Sequence, residues 1–295
     1  MNVLIYSLAV KTPYAEAMAR VIAIFKAEGF TVFLLRSYHE KLEDNGFLDS
    51  SSYEILESPD DCTHTKINYI FTLGGDGTIL GATAELAPHQ IPILGLNLGR
   101  MGFLAHIELE QLKEAILMIK RGMYRIEERT MLHVDSNFPM FQSAPYGLND
   151  FTLLKRDTSS MITIHTYING DFLNSYWADG IILATPTGST GYNLSCGGPI
   201  IFPDSQNFVL TPVAPHNLSV RPIVLSDESV LSFEVEGRGE NFLSTLDSRY
   251  ETITQEHQIA IRKSVHRTKI IMLQNSTFLR TMRDKLAWGA DARNA

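Results

Sequence analysis

The chain has 295 residues, of which 44% are hydrophobic and 20% charged, a composition typical of a folded globular protein and far from that of a disordered one. At this length single hydrophobic cores begin to divide, so we expect two domains. The formal net charge of -8 argues against nucleic acid as a partner, because the average surface would repel a phosphate backbone and the sequence concentrates no basic patch.

The apolar opening of the chain predicts a buried strand and no membrane association. It lacks a basic leader region, is interrupted by Lys11 and Pro13, and is too short to cross a bilayer. Cys62 and Cys196 lie far apart without metal-ligand or disulfide-framework spacing, which fits a reducing cytoplasm.

Up to Gly122 the apolar periodicity alternates between strand and helix. The expected elements are strands over 3–8, 31–35, 67–73 and 91–94, and helices over 14–26, 78–86 and 108–120. Residues 39–61 mix acids, serines and a proline, which predicts a long surface loop or mobile insertion. The pattern is typical of a parallel sheet covered by helices.

After Gly122 the sequence predicts a mostly antiparallel β domain. Asn169-Gly170 stands between two alternating segments and is a strong hairpin signal. Further strands are expected over 181–184, 208–213, 230–235, 258–262 and 269–273, and a last helix over 277–288. We therefore predict an α/β domain over 1–128, an all-β domain over 129–275, and a C-terminal segment, 276–295, that packs back on the first domain.

The glycine-rich run at residues 74–78, GGDGT, follows an apolar strand and opens a helix. Backbone N–H groups and the helix dipole favour bound phosphate at such a place, and glycines let the chain approach an anion closely. Asp76 would repel phosphate unless a divalent cation intervenes or the carboxylate faces a hydroxyl group that loses its proton, and both are roles in phosphoryl transfer. The alternative is a tight turn in which Asp76 or Thr78 only caps the helix.

A second glycine-rich segment begins at Asp179 and continues to Pro199. It reads as a buried strand that enters a loop of small hydroxyl residues, with Tyr192 as its one aromatic ring. Such a loop can offer several donors and acceptors to a flat polar ligand such as adenine. A hydroxyl-rich loop without a ligand is the alternative.

The GGDGT run resembles the mark of a superfamily that includes NAD kinases and the diacylglycerol and sphingosine kinases, with phosphofructokinases as a close relative. The second segment selects among them, since residues 179–192 are similar to the DGxxxxTPTGSTAY segment of NAD kinases. The resemblance extends from about Ile67 to the end, through segments similar to NxGxxGFL, LNE, PHxLSxRP and KLxWG at residues 97–104, 148–150, 215–222 and 285–289.

The resemblance implies an NAD kinase with a Rossmann-like or phosphofructokinase-like first domain, in which ATP with Mg²⁺ or another divalent cation phosphorylates NAD. Asp76 would be the catalytic base, and the donor phosphates would lie on Gly74, Gly75, Gly77 and Thr78. NAD would bind between the domains, with Asp179 near the nicotinamide riboside. The residues implied in NAD binding are Asp76, Gly77, Phe103, Asn149, Asp150, Asp179, Thr187, Thr190, Gly191, Tyr192, Asn193, Leu194, Ser195 and Arg249.

Four positions depart from the family pattern. Asp150 stands where Glu is usual and Gly191 where Ala is usual. The family's DGQ turn is Asp-Ser-Arg here, so that Arg249 places a guanidinium where relatives have a neutral amide. Trp177 occupies a position that is basic in many relatives.

Three rival functions stand beside this prediction. A purely structural interaction protein would have no chemical reason for two glycine-rich hydroxyl loops. A lipid kinase of the same superfamily would lack residues 179–192 and would need a basic amphipathic stretch for the membrane. A non-catalytic regulator that binds NAD(P) would not need Asp76. The resemblance further implies a homo-oligomer, a tetramer rather than a dimer.

Overall fold

The computed structural model describes residues 1–45, 52–99, 102–156, 160–273, 277–286 and 288. The chain divides into two units, Met1–Glu128 with Thr268–Ala295, and Arg129–Arg267. The sequence placed the second boundary at 275. The structure places it at Arg267, because the strand after Arg267 belongs to the sheet of the first unit.

The first unit is built on an eight-stranded sheet with helices. Its strands are β1 Asn2–Tyr6, β2 Thr31–Leu35, β3 Glu54–Leu56, β4 Tyr69–Leu73, β5 Ile93–Asn97, β6 Ile107–Glu108, β7 Tyr124–Arg129 and, from the end of the chain, β20 Thr268–Leu273. Its helices are α1 Thr12–Ala27, α2 Arg36–Glu43, α3 Asp61–His64, α4 Asp76–Leu86, α5 Leu112–Lys120 and, last in the chain, α7 Phe278–Leu286. The strand order is β3-β2-β1-β4-β5-β20-β7, with β6 also paired to β5.

The connectivity of this sheet reverses between β1 and β4. From β1 the chain moves outward to β2 and β3, all parallel, and then returns to place β4 on the other side of β1. In open α/β sheets, ligands bind outside the carboxyl ends of the strands at such a switch point. The glycine run 74–78 directly follows β4, so the topology places it at this position.

The central strands of this sheet, β1, β4 and β5, are apolar on both faces, as a strand covered by helices requires. In β4, four of the five residues are fully buried, and the ring of Phe71 lies 4.5 Å from that of Phe25 in α1. Burial of apolar surface on both sides of β1, β4 and β5 therefore fixes the strand ends from which the glycine run emerges.

The prediction of a long loop over residues 39–61 was wrong for residues 39–43 and 54–56, and residues 46–51 lie outside the described part of the chain. Helix α2 continues to Glu43, and β3 pairs in parallel with β2. Tyr38, His39 and Leu42 are buried on one face of α2, and this spacing was obscured by the polar residues around them.

The second unit consists of two six-stranded antiparallel sheets. Its strands are β8 Leu132–Ser136, β9 Tyr146–Gly147, β10 Asp150–Lys155, β11 Ile162–Ile168, β12 Asp171–Ala178, β13 Gly180–Ala184, β14 Asn207–Val213, β15 Ile223–Ser226, β16 Leu231–Glu236, β17 Phe242–Leu246, β18 Arg249–Ile253 and β19 Ile259–Lys263, with one short helix, α6 Tyr192–Ser195. The sheet orders are β15-β14-β13-β10-β17-β18 and β12-β11-β16-β19-β8-β9.

The two sheets share one core. Phe151 of β10 stacks on Phe233 of β16 with ring centroids 6.1 Å apart, and both side chains are buried. The predicted hairpin is confirmed, since Asn169 and Gly170 join β11 to β12 with positive φ angles of 53° and 88°. The unit is thus a β-sandwich in which alternating residues of each strand fill the interior.

Candidate functional site

The glycine run, which we call the phosphate turn (residues 74–78), has a backbone that few other residues could adopt. Gly74 has φ +154°, and a Cβ atom there would lie 2.1 Å from Oγ1 of Thr78. Its N–H donates to the carbonyl of Leu96 at the end of β5 (2.9 Å). Helix α4 then begins at Asp76 without a side-chain cap. The N–H of Thr78 donates to the carbonyl of Gly75 (2.9 Å), and the N–H groups of Asp76 and Gly77 are available to an anion.

The carboxylate of Asp76 is held by the backbone of residues 103–105. The N–H groups of Phe103, Leu104 and Ala105 donate to it at 2.7, 3.0 and 3.0 Å. This approach requires Gly102, because a Cβ atom at that position would lie 1.8 Å from Oδ1 of Asp76. An ionised carboxylate accepts about four hydrogen bonds, so about one acceptor direction remains for another partner.

The loop after β13, which we call the hydroxyl turn (residues 185–198), is folded by its own side chains. Thr185 donates to the carbonyl of Leu148 (2.6 Å), and Ser189 donates to that of Pro186 (2.7 Å). Asn193 is fully buried, donates to the carbonyls of Ser189 and Pro199, and accepts from Thr211. Asn193, predicted to bind NAD, thus holds the loop together from within.

The hydroxyl turn meets Asn149 and Asp150 because β10 begins where β13 ends. Asp150 pairs with Ala184 across the two strands. Gly188 lies so close to Asn149 that a Cβ atom would be 2.0 Å from its carbonyl oxygen, and one at Gly191 would be 3.6 Å from Oδ2 of Asp150. The sheet register therefore gathers three of the predicted site segments at one end.

Burial raises the pKa of Asp150 to about 7, and the nearby carboxylate of Asp247 adds to the rise. Asp247 itself accepts hydrogen bonds from the N–H groups of residues 148, 149 and 150 at 2.8, 2.7 and 3.2 Å. Burial raises the pKa of Asp247, and these three hydrogen bonds oppose that rise. The Asn149 side-chain oxygen is buried and accepts no hydrogen bond from the described residues. The site thus offers two polar groups, the Asn149 side-chain oxygen and the Asp150 carboxyl group, whose hydrogen-bonding capacity is not filled.

Asp179 lies at the other end of the same strand pair, where it forms an ion pair with Lys155 at 2.6 Å. Five strand residues at about 3.4 Å each separate the two ends by roughly 17 Å. The ring of Tyr192 is 41% exposed. Burial raises its pKa, followed by its contact with Cys196 and by the charges of Asp179 and Asp150. A ligand that contacts both ends of the strands must therefore be extended.

The structure distributes the predicted site residues over both units. Gly74, Gly75, Asp76, Gly77, Thr78 and Phe103 belong to the first unit and the others to the second. Thr187 is buried beside Arg129, whereas Tyr192 and Ser195 are exposed and Thr190, Gly191 and Leu194 are partly exposed. Arg249 donates to two backbone carbonyls rather than standing free.

Sequence reasoning did not assign Lys155 or Asp247 to the site. Lys155 gave no signal, because its partner Asp179 is brought beside it only by the pairing of β10 with β13. Asp247 stands in the turn that aligns with the family's DGQ segment, and that alignment was the available signal.

Within the described part of the chain, no group of three His, Cys, Asp or Glu side chains could hold a metal ion. Among the same residues, no helix has the length and apolar character needed to cross a membrane.

An α/β unit whose phosphate turn lies at the switch point of its sheet, followed by a β-sandwich with a hydroxyl turn, defines a two-domain kinase of the GGDGT class. Residues 8–124 match the model of the ATP-NAD kinase N-terminal domain, and residues 148–273 match that of the C-terminal domain. The chain belongs to the NAD kinase family.

Curated relatives agree along the whole length. The chain is 46% identical to the NAD kinase of Cytophaga hutchinsonii over 229 residues, which cover 78% of each chain. It is 38% identical over 296 residues to the NAD kinase of Flavobacterium psychrophilum, with complete coverage of both.

Solved structures share the fold. The structure of yeast NADH kinase complexed with NADH matches with a TM-score of 0.85 at 24% identity, over 100% of this chain and 90% of that one. An NAD kinase from Archaeoglobus fulgidus in complex with ATP matches with a TM-score of 0.73 at 24% identity, over 97% and 99% of the two chains.

Proposed function

We propose that this enzyme transfers the γ-phosphoryl group of ATP to the 2′-hydroxyl of the adenosine ribose of NAD and so forms NADP. The observation that carries the proposal is the phosphate turn, in which a carboxylate is fixed at the open N-terminus of α4 by three backbone N–H groups. This arrangement combines an anion site with a potential proton acceptor, and phosphoryl transfer needs both.

The remaining acceptor direction of Asp76 would receive the proton of the ribose hydroxyl while the new O–P bond forms and ADP leaves. The donor phosphates would lie on residues 74–78, with the N–H groups of Gly75, Asp76 and Gly77 as donors. A divalent cation, Mg²⁺ or another, would enter with ATP and would supply positive charge that offsets the charge developing on the transferred group. Catalysis would then rest on positioning and electrostatics rather than on covalent chemistry.

The second unit would bind NAD along the β10–β13 strand pair. Asn149 and Asp150, which have unfilled hydrogen-bonding capacity, would receive the adenosine part together with the hydroxyl turn. Asp179, held by Lys155, would lie near the nicotinamide riboside. The separation of the two strand ends supports this assignment, because a dinucleotide is an extended ligand.

The test compares NADP formation by the purified protein and by Asp76→Asn, with NAD, ATP and Mg²⁺ and an NADP-specific dehydrogenase as the readout. We expect the variant to lose about 10²–10⁴-fold in kcat, as removal of a general base does, while NAD binding measured by calorimetry is retained. Absence of NADP from the wild-type reaction would reject the proposal, and a variant with unchanged kcat would reject Asp76 as the base.

We further propose that the protein is a cytoplasmic homo-oligomer, most simply a tetramer. Cys62 and Cys196 are free thiols, which fits a reducing compartment. Strand β12 is the edge of its sheet, and Phe172 and Trp177 on it are 60% and 51% exposed. Edge strands with exposed aromatic rings are surfaces that proteins usually cover.

A further inference from the structure

Three side chains, at positions 247, 249 and 251, bind the backbone of residues 141–150, and we call them the clamp. Asp247 lies in the turn between β17 and β18, and the other two alternate along β18. Side chains two residues apart point to the same face of a strand. Ile253, next in this series, is fully buried, whereas Tyr250 on the opposite face is 74% exposed. The clamp therefore faces the interior of the second unit.

Each clamp residue binds a different part of the segment. Glu251 accepts from the N–H of Phe141 at 2.7 Å. The Arg249 guanidinium donates to the carbonyls of Ala144 and Tyr146, and its Cζ lies 5.7 Å from the centroid of the Phe141 ring. Asp247 binds the N–H groups of residues 148–150. Contacts thus extend along the whole segment, up to the two residues of the proposed adenosine site.

Backbone angles show that the segment needs this support. Phe141 has φ +47° and Asp247 has φ +53°, both in the left-handed region. Asp tolerates this region, but a bulky aromatic residue persists in it only when the surroundings over-determine its conformation. Two of the clamp residues hold Phe141, one through its N–H and one through its ring.

We propose that Arg249 is a positioning residue for NAD, one that fixes Asn149 and Asp150 through the backbone of residues 144–146 and does not itself contact the dinucleotide. Two of its N–H donors are committed to carbonyls and its charged Cζ lies over an aromatic ring, which are uses that a neutral glutamine amide cannot reproduce together. The inference rests on the proposed function, because it names a residue that shapes the same NAD site.

The experiment compares wild type, Arg249→Leu and Arg249→Lys in steady-state kinetics and in amide hydrogen exchange of residues 141–150. For Arg249→Leu we expect the KM for NAD to rise about tenfold, since charge-assisted hydrogen bonds are lost. The kcat and the KM for ATP should stay within about twofold of wild type, because binding is impaired without loss of transition-state contacts. Exchange of the Leu148 and Asn149 amides should accelerate.

Arg249→Lys keeps the charge but loses the two-pronged geometry, so its KM for NAD should rise less, about threefold. Arg262→Leu is the matched control. Arg262 lies on β19 and pairs with the exposed Asp135 on β8, so this substitution should change none of these quantities. An unchanged KM for NAD with unchanged amide exchange in Arg249→Leu would overturn the inference. A loss confined to kcat would also overturn it, since it would place Arg249 at the reacting groups.

The exchange measurement does not depend on catalysis. If the wild type formed no NADP, the proposed function would fail, yet faster exchange over 141–150 in both Arg249 variants would still support the clamp. Unchanged exchange with active wild-type enzyme would reject the clamp and leave the function standing.

Discussion

Asp150 is a carboxyl group whose burial costs folding free energy near neutral pH, although it lies in the proposed adenosine site. Its side chain is 7% exposed and lies near a second carboxylate, and burial followed by the charge of Asp247 raises its pKa from 3.8 to about 7. Because the folded protein holds this proton more tightly than the unfolded chain does, the free energy of unfolding falls as pH rises from about 4 to 7. A buried carboxyl group that opposes folding near neutral pH is typical of a residue retained for a ligand.

Asp150→Asn should therefore stabilise the protein fully at pH 8 and only in part at pH 5, where Asp150 is protonated in the folded protein but already ionised in the unfolded chain. The expected gain in the free energy of unfolding at pH 8 is about 2–4 kcal/mol, from a shift of about three pKa units. Urea unfolding at both pH values, without ligands, measures it, with the exposed Asp204→Asn as control. An equal gain at both pH values would contradict this account.

Single residues of the phosphate turn could be predicted, because their chemistry depends on neighbours in the sequence. The use of Gly102 could not, since it becomes necessary only when β5 brings residues 102–105 against Asp76. The same holds for the clamp. Arg249 was predicted to bind NAD from its position in the aligned turn, and only the folded segment 141–150 shows what its guanidinium contacts.

At the level of elements, helix α7 packs against Phe103, in the loop whose N–H groups bind Asp76 of the phosphate turn. The ring of Phe278 lies 6.5 Å from that of Phe103, whose N–H donates to Asp76. The last helix of the chain therefore contacts the loop that fixes the proposed catalytic base. The next residue of α7, Leu279, is 47% exposed.

Phe278→Ala should lower kcat by about three- to tenfold, because the loop that orients Asp76 loses an aromatic contact worth about 1 kcal/mol. The KM for NAD and ATP should change less. Leu279→Ala in the same helix is the matched control and should retain the wild-type kcat. Equal effects of both substitutions would indicate general loss of the helix rather than support of the loop.

Elements that depend on residues close together in the chain were predicted well. Pairings that depend on residues far apart in the chain were not. The hairpin at Asn169-Gly170 and the helix capped by Gly122, which has φ +69°, follow from residues in contact along the chain. Strand β20 was predicted as a strand, but its apolar run gives no sign that it joins a parallel sheet more than 170 residues earlier in the chain. Several strands were not predicted, among them β8, β10, β17 and β18, which are five or six residues long and contain at least two polar residues each.

For the whole molecule, the proposed assembly gives a measurable expectation. Light scattering, measured as the protein elutes from a size-exclusion column, should show a particle with four times the mass of one chain. Phe172→Lys on the exposed edge strand β12 should shift it toward smaller species, because a charge on an edge strand disfavours pairing. A wild-type protein that remains a single chain at micromolar concentration would reject the oligomer.

The second unit is inserted between two neighbouring strands of the first. The chain leaves the parallel sheet through β7 and returns through β20, which lies between β5 and β7. Where the insertion begins and ends, the N–H of Ser264 donates to the carbonyl of Met131 at 2.9 Å, so the two connections lie side by side.

This arrangement sets an order for folding during synthesis. A ribosome delivers the first 128 residues early, but the sheet they form has a gap beside β5 until residues 268–273 emerge. The β-sandwich has all of its strands before then and can complete its core first. The first unit, although synthesised earlier, still lacks the strand that pairs with β5. The half of the protein made first is thus the half finished last, and a nascent chain stalled before residue 268 would present that edge to chaperones or to other chains.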